Sequence, residues 1–474
     1  MKITVQDFGI IHEFSFDTDK NFTMVFGKNN TGKSYALSLV YLIIKNILRM
    51  EEPYFLHTLV EIQDVEKKIE SYQGKLEGKK TLDIKSDIED FLKHILSRTF
   101  LVELEESFKN TFDSLESLQN RLNKEADLQI DIELDILTFC IKVKEKKLYI
   151  ENLQVKREKI EIKNSQRNLN TKDNNNVITI YTSKNKDHFF TNLLQFIIDL
   201  SMKLSHETKE KIKSIYYLPA SRSGLYQALS AFGQIIAELS KSRKFTTKRI
   251  ELPSISEPLS DYFLELSNIK IRKQEIENNI TFVANAIEKE ILHGKVEFDK
   301  TTKKLIFKPE DTDLRLDLSY TSSMVSELSP IASYLKYIVN YSEDNSIQSL
   351  MYPRKRKYNK AKALIIIEEP EAHLHPSVQI QMIEKFAELA LNDIKMVIST
   401  HSNYMFNKSN NLILAKKVDI AYVESLLFEE SKVGSIAKSI AIDQYGQTDE
   451  NFIDTTEELY NEKLRLIELY NENK

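Results

Sequence analysis

The residues best suited to chemistry stand in one loop, Gly27-Lys28-Asn29-Asn30-Thr31-Gly32-Lys33-Ser34, which fits G-x-x-x-x-G-K-[ST] at every defined position. Glycine at 27 and 32 permits backbone conformations that a Cβ would block, so successive N–H groups, with Asn29, Asn30 and Thr31 between them, can turn inward to phosphate oxygens. Lys33 offers a point charge for β- and γ-phosphates and Ser34 a hydroxyl for Mg²⁺. A helix starting there adds its dipole. The chemistry is that of a nucleoside triphosphate held at a phosphate cradle.

A second group lies far along the chain. Ala363 to Ile367 (ALIII) is a continuous apolar run ending in Glu368-Glu369, the pattern of a strand buried on both faces of a parallel sheet. Carboxylates at such a strand end suit a metal partner and a water-orienting base, and we assign Glu368 to the metal and Glu369 to the water. A further short apolar strand, Met396 to Ser399, ends at Thr400-His401, where a histidine can be a structural cap, a metal ligand or a γ-phosphate sensor. His373 and His375 invite a zinc reading, but no cysteine or compact histidine pair completes a typical ligand set.

These residues need a scaffold. Asn21 to Phe26 is β-prone and Tyr35 to Met50 has helical apolar spacing, which places the glycine-rich loop between strand and helix. Lys2 to Val5 and Ile10 to Phe16 read as entry strands. From about Glu51 to Lys124 the pattern is helical and charged, whereas Leu128 to Val155 alternates as strands, and Asn164 to Asn176 reads as an exposed loop. His188 to Met202 is expected to be helical and Ser214 to Leu218 a strand running into Pro219-Ala220-Ser221-Arg222. Helices are expected over Gly224 to Ser240 and Asp261 to Leu292, then a hairpin over Val296 to Phe298 and Leu305 to Phe307.

Composition bounds the rest. The 474 residues are 41% hydrophobic and 29% charged, ordinary for a soluble chain of two or three structural units. No apolar run approaches the ~20 residues of a membrane span, and the N-terminus opens as a strand rather than a signal peptide, so a cytoplasmic location is expected. The single cysteine, Cys140, sits in an apolar run and is expected to pack in the core. A net charge of −5 argues against a globally basic nucleic-acid binder. Locally, Arg354, Lys355, Arg356, Lys357, Lys360 and Lys362 form a cluster that can attract DNA, RNA or an acidic protein, or serve as a solvated loop.

The series GKNNTGKS, YLPASRSGL, TSSMVSELSP, IIIEEPEAHLHP and ISTHSNYM, in this order, resembles the ABC-type ATPase domain of the overcoming-lysogenization-defect (OLD) family, above all its prokaryotic defence-associated members. The resemblance implies that Glu368 and Glu369 form the Walker B pair, Ala372 to Pro376 the D-loop, and His401 the switch histidine. It further implies that Ser322 and Ser323 belong to a signature motif that reaches ATP held by another subunit, so that ATP joins two protomers. Two positions depart from the wider ABC pattern: Glu368 stands where aspartate is usual, and Met324 where glycine is usual. Arg222 is similar to an arginine of these ATPases that can couple the site to the arm or face a phosphate; an exposed loop position is the plainer reading.

The expected architecture is α/β, an ABC-type P-loop core with a mixed sheet and a helical and β-rich insertion. Residues 1–50 and 211–474 are expected to form the core and 51–210 the insertion arm. The expected activity is Mg²⁺-dependent ATP hydrolysis by a dimer or higher oligomer. The stretch after His401 reads as a strand around Ile420 to Val423 and then helices, too short for the nuclease domain of full-length OLD proteins, so the chain is expected to be a sensor or regulatory subunit controlling a separate effector, a nuclease, similar to the ATPases of Septu or PARIS systems. The competing readings are a RecF- or SMC-like DNA-maintenance ATPase and a scaffold that binds ATP without turnover.

Overall fold

The computed structural model describes residues 1–50, 72, 75–76, 80–123, 126–165, 169, 171–174, 176–182, 186–228, 255–271, 277–341, 362–443, 446–448 and 453–472. From the N-terminus, β1 (Lys2–Phe8), β2 (Ile11–Asp17) and β3 (Phe22–Gly27) lead into α1 (Lys33–Arg49). The middle of the chain supplies β4 (Thr81–Asp83), α2 (Lys85–Arg98), α3 (Phe100–Phe112), β5 (Gln129–Glu133), β6 (Leu137–Lys144), β7 (Lys147–Val155), β8 (Lys159–Lys163), β9 (Lys172–Asp173), β10 (Val177–Tyr181) and α4 (Lys186–Lys211). Next come β11 (Ser214–Leu218), α5 (Glu257–Ser267), α6 (Asn279–Ala286), β12 (Gly294–Asp299), β13 (Lys304–Pro309), β14 (Leu316–Asp317) and α7 (Ser323–Ser333). The chain closes with β15 (Ala363–Glu368), α8 (Pro376–Ala390), β16 (Ile394–Ser399), α9 (Asn403–Leu414), β17 (Val423–Ser431), β18 (Gly434–Ser439) and α10 (Ile453–Glu472).

Eleven strands form one mixed sheet in the order β11-β15-β16-β3-β17-β18-β2-β1-β5-β6-β7. From β11 to β17 neighbours are parallel, and from β2 to β7 they are antiparallel. The strands β5 to β7, which lie within the 51–210 stretch, extend this same sheet.

The reason β15 reads as an unbroken apolar run is visible in the packing. Leu364 and Ile366 join Val25, Tyr217 and the buried side of α1 in one core, whereas Ala363, Ile365 and Ile367 join Met24, Phe26, α7 and α8 in another. Successive side chains point to opposite faces, and helices cover both, so every residue of β15 must be apolar until the strand ends. The same sandwiching leaves α1 buried around most of its circumference.

α5 braces α1 from the side. Lys45 on α1 reaches Glu257 at 2.6 Å and also pairs with Asp261, while Tyr41 donates to Asp261 at 2.8 Å. Behind them Glu265 accepts from Tyr334, whose ring stacks on Tyr262 with centroids 5.6 Å apart.

Three expectations are corrected. The helical reading of Asp261 to Leu292 ends at Ser267 and resumes at Asn279, where Asn278 caps α6 by accepting from Thr281 N–H. The strand expected around Ile420 to Val423 is the nine-residue β17, preceded by a single 3₁₀ turn. It is followed by β18 rather than directly by helix. The Arg354 to Lys357 cluster lies outside the described residues. Cys140 is buried on β6, and burial beside Asp131 pushes its thiol up to about 12, which fits a packing role. Among the described residues no helix is long and apolar enough to cross a membrane.

Candidate active site

Because β15, β16 and β3 are parallel neighbours, their C-terminal ends open on one edge of the sheet. That edge is where open α/β sheets form ligand crevices. Gly27 ends β3 with φ +135°, and a Cβ there would meet Phe428 O at 2.6 Å. Gly32 caps α1 with φ +92°, and a Cβ would press on Ile11 at 2.9 Å. Between them Asn29 and Asn30 are exposed, Asn30 takes φ 62°, and Thr31 is buried with its hydroxyl donating to Lys28 O at 2.9 Å. The backbone therefore needs glycine at both ends and tolerates asparagine in the left-handed conformation between them.

Lys33 opens α1 and is enclosed by the loop, with Nζ donating to Gly27 O at 2.9 Å and Lys28 O at 2.6 Å. Burial pulls its ammonium down to about 8, against the opposing pull of Glu369, Glu368 and Glu371. Ser34, the next residue, is exposed and hydrogen-bonds Glu368 across the cleft.

Glu368 ends β15 nearly buried, with its carboxyl accepting from the Tyr217 hydroxyl of β11. Ser38 Oγ lies 3.3 Å from the same hydroxyl. Burial raises the Glu368 carboxyl above its ordinary range, the neighbouring Glu369 adds to this, and the bonds from Tyr217 and Ser34 oppose it. The long reach of glutamate at this position is thus taken up by a tyrosine that the sequence reading did not single out. Its signal is Tyr217's place in β11, in register beside Ile366 of β15.

Glu369 leaves the strand in the left-handed region, φ 42°, with its N–H donating to Ser399 O at 2.9 Å. Its carboxylate points into the cleft, 3.7 Å from His401 Nε2. The imidazole is lowered by burial and by Lys33, with Glu369 pulling the other way, so the neutral ring is favoured. Glu371, also unassigned in the sequence, accepts the His401 backbone N–H at 2.6 Å and so fixes the turn that presents the ring. The available signal was a third carboxylate in EEPEAH. His375 caps α8 by accepting from Ser377 N–H.

The structure therefore brings together Gly27, Lys33, Ser34, Glu368, Glu369 and His401. Ser322 and Ser323 are elsewhere. Ser322 caps α7, accepting from Val325 N–H at 3.4 Å, and both serines are exposed. α7 packs in the core on the face of the sheet opposite α1. As for Mg²⁺, the donors offered by Ser34 and Glu368 are hard oxygens on adjoining elements, beside an ammonium held at the cradle. That set fits the ion.

A glycine-rich loop between the buried parallel strand β3 and a helix, with a histidine just past the adjoining β16 and paired carboxylates at the end of β15 one strand further on, defines a P-loop ATPase. The chain belongs to the AAA ATPase domain family, whose model matches residues 1–406, and ATP hydrolysis is its activity. No curated protein matches the sequence. Among similar solved structures is an Smc head bound to the C-terminal winged-helix domain of ScpA, at 9% identity over 93% of this chain and 98% of that one, TM-score 0.38. Another is an Smc head with an extended coiled coil bound to the C-terminal domain of ScpA from Pyrococcus furiosus, at 10% identity over 93% and 96%, TM-score 0.37. The SMC head domain from Thermotoga maritima shows 8% identity over 93% and 98%, TM-score 0.35.

Proposed function

We propose that this ATPase works as a nucleotide-driven dimerising switch, the sensor or regulatory subunit of an antiphage defence system that controls a separate nuclease. The observation that carries the dimer is the placement of Ser322 and Ser323, exposed at the start of α7 across the sheet from the cradle. A helix N-terminus with a free serine is a phosphate-binding end, and in a dimer it meets the nucleotide of the second protomer. The order of the motifs, similar to that of OLD-like defence ATPases, supports the biological role.

In this reading Lys33 and the loop amides hold the phosphates, Glu369 orients the attacking water, and neutral His401 donates to the γ-phosphate. Ser34 and Glu368 would hold Mg²⁺, which supplies neutralisation of the β- and γ-phosphate charge. Glu369→Gln should stall hydrolysis and trap the ATP-bound dimer. Light scattering is expected to give a dimer mass with ATP and a monomer mass without it, and a monomer under saturating ATP would overturn the switch. Co-expression with the product of the adjacent reading frame is expected to give an ATP-dependent complex. ATP-dependent binding to DNA ends without such a complex would favour a DNA-maintenance role instead.

A further inference from the structure

Arg222 follows β11 and was expected to face a phosphate, the arm or solvent, yet its side chain is 0% exposed. Nη1 donates to Pro219 O at 3.0 Å and to Glu368 O at 2.7 Å, and Nη2 donates to Glu369 O at 3.3 Å. Nη2 also lies 3.3 Å from Glu327 Oε2, the ion pair of a carboxylate that is itself 3% exposed. Glu327 stands in the first turns of α7, five residues after the capping Ser322, and its other oxygen accepts from Ser223.

A guanidinium buried this deeply needs a counter-charge and directed acceptors. Its rigid fork can meet three carbonyls and a carboxylate at fixed angles, which an ammonium cannot. Two of the carbonyls it holds are those of the paired carboxylate residues, at the point where Glu369 bends into a conformation that non-glycine residues adopt only when their surroundings impose it.

We infer that Arg222 and Glu327 are positioning residues for ATP hydrolysis, tying the backbone of Glu368 and Glu369 to α7 so that the helix carrying Ser322 and Ser323 sets the carboxylate that orients water. The inference rests on the assignment of Glu369 made above. It gives α7 a path to the catalytic carboxylate of its own protomer: any shift of the helix imposed at its serine end is delivered through Glu327 and Arg222 to Glu369.

The test compares wild type, Glu327→Gln, Ser223→Ala and Glu369→Gln for ATP affinity with a fluorescent ATP analogue, steady-state kcat, and melting temperature. Glu327→Gln is expected to lower kcat by about 10- to 100-fold, the scale of a small misplacement of a reacting group. Affinity is expected to stay within about twofold of wild type, because the cradle is untouched. Ser223→Ala leaves the charge pair intact while loosening Glu327, so it should lower kcat in the same direction by a smaller factor. It decides the matter if Glu327→Gln fails to fold. Unchanged kcat in Ser223→Ala together with unchanged kcat in any folded Glu327→Gln overturns the inference, as does loss of kcat only in step with affinity and melting temperature. Normal hydrolysis by Glu369→Gln overturns the assignment of Glu369, and the inference with it.

Discussion

Replacing Glu265 by glutamine isolates the cost of one carboxyl in the brace behind α1. Burial drives this carboxyl up from 4.5 to about 7, Asp261 adds to the shift, and the bond from Tyr334 and the charge of Lys45 resist it. A folded pKa above the unfolded one means that the folded chain holds a proton that the unfolded chain has released. Stability therefore falls as pH climbs from 4.5 to about 7 and levels off above that range. At about 1.36 kcal/mol per unit, the ceiling is roughly 3.4 kcal/mol; partial solvent contact reduces the expected effect to about 2 kcal/mol. Glutamine keeps an acceptor for the Tyr334 hydroxyl and never ionises. Melting curves should then show Glu265→Gln close to wild type near pH 5 and about 2 °C more stable at pH 8. A variant less stable than wild type at pH 8, or one whose advantage is equal at both pH values, would refute the reasoning.

Three further outcomes follow from the site. Lys33→Ala should weaken ATP binding about 100-fold or more, since a charge-assisted phosphate contact is lost; near-normal affinity by calorimetry would sink the cradle assignment. Tyr217→Phe removes the donor that steadies the buried Glu368 anion, a loss of about 1.5 to 3 kcal/mol, so the Mn²⁺ concentration that half-saturates the ATP complex in spin-resonance titration should rise by about tenfold or more. An unchanged titration would free Tyr217 of any role toward the metal. Ser323→Arg should depress turnover while leaving nucleotide affinity alone, and full turnover would argue against a site shared between protomers.

Much of the site was legible in the sequence because its strands are buried on both faces. Phe22 to Phe26, Ala363 to Ile367 and Met396 to Ser399 are buried runs because helices cover both sides, and each leads into a segment of the candidate site. Tyr217, Glu371, Arg222 and Glu327 were not legible in these roles. Their partners lie between 30 and 151 residues away in the chain for Tyr217 and Glu371, and 104 to 147 residues away for Glu327 and Arg222, so only sheet order brings them together. Nothing local distinguishes an arginine after Pro-Ala-Ser that faces solvent from one enclosed by two strand ends. The end of the long helical reading at Ser267 escaped for the same reason, since amphipathic spacing continues past it.

The position of β3 sets when the active site can exist. Both of its sheet neighbours, β16 and β17, are made from the far end of the chain. A ribosome that has just released Gly27 must add roughly 400 more residues, roughly 20 to 80 seconds of synthesis, before either neighbour is available to pair. Until then the strand that ends in the cradle has no partner on either side, and contacts of such long separation make the closing step slow. A nascent chain therefore cannot acquire its nucleotide early, and chaperone protection of the exposed β3 edge is most needed in that interval.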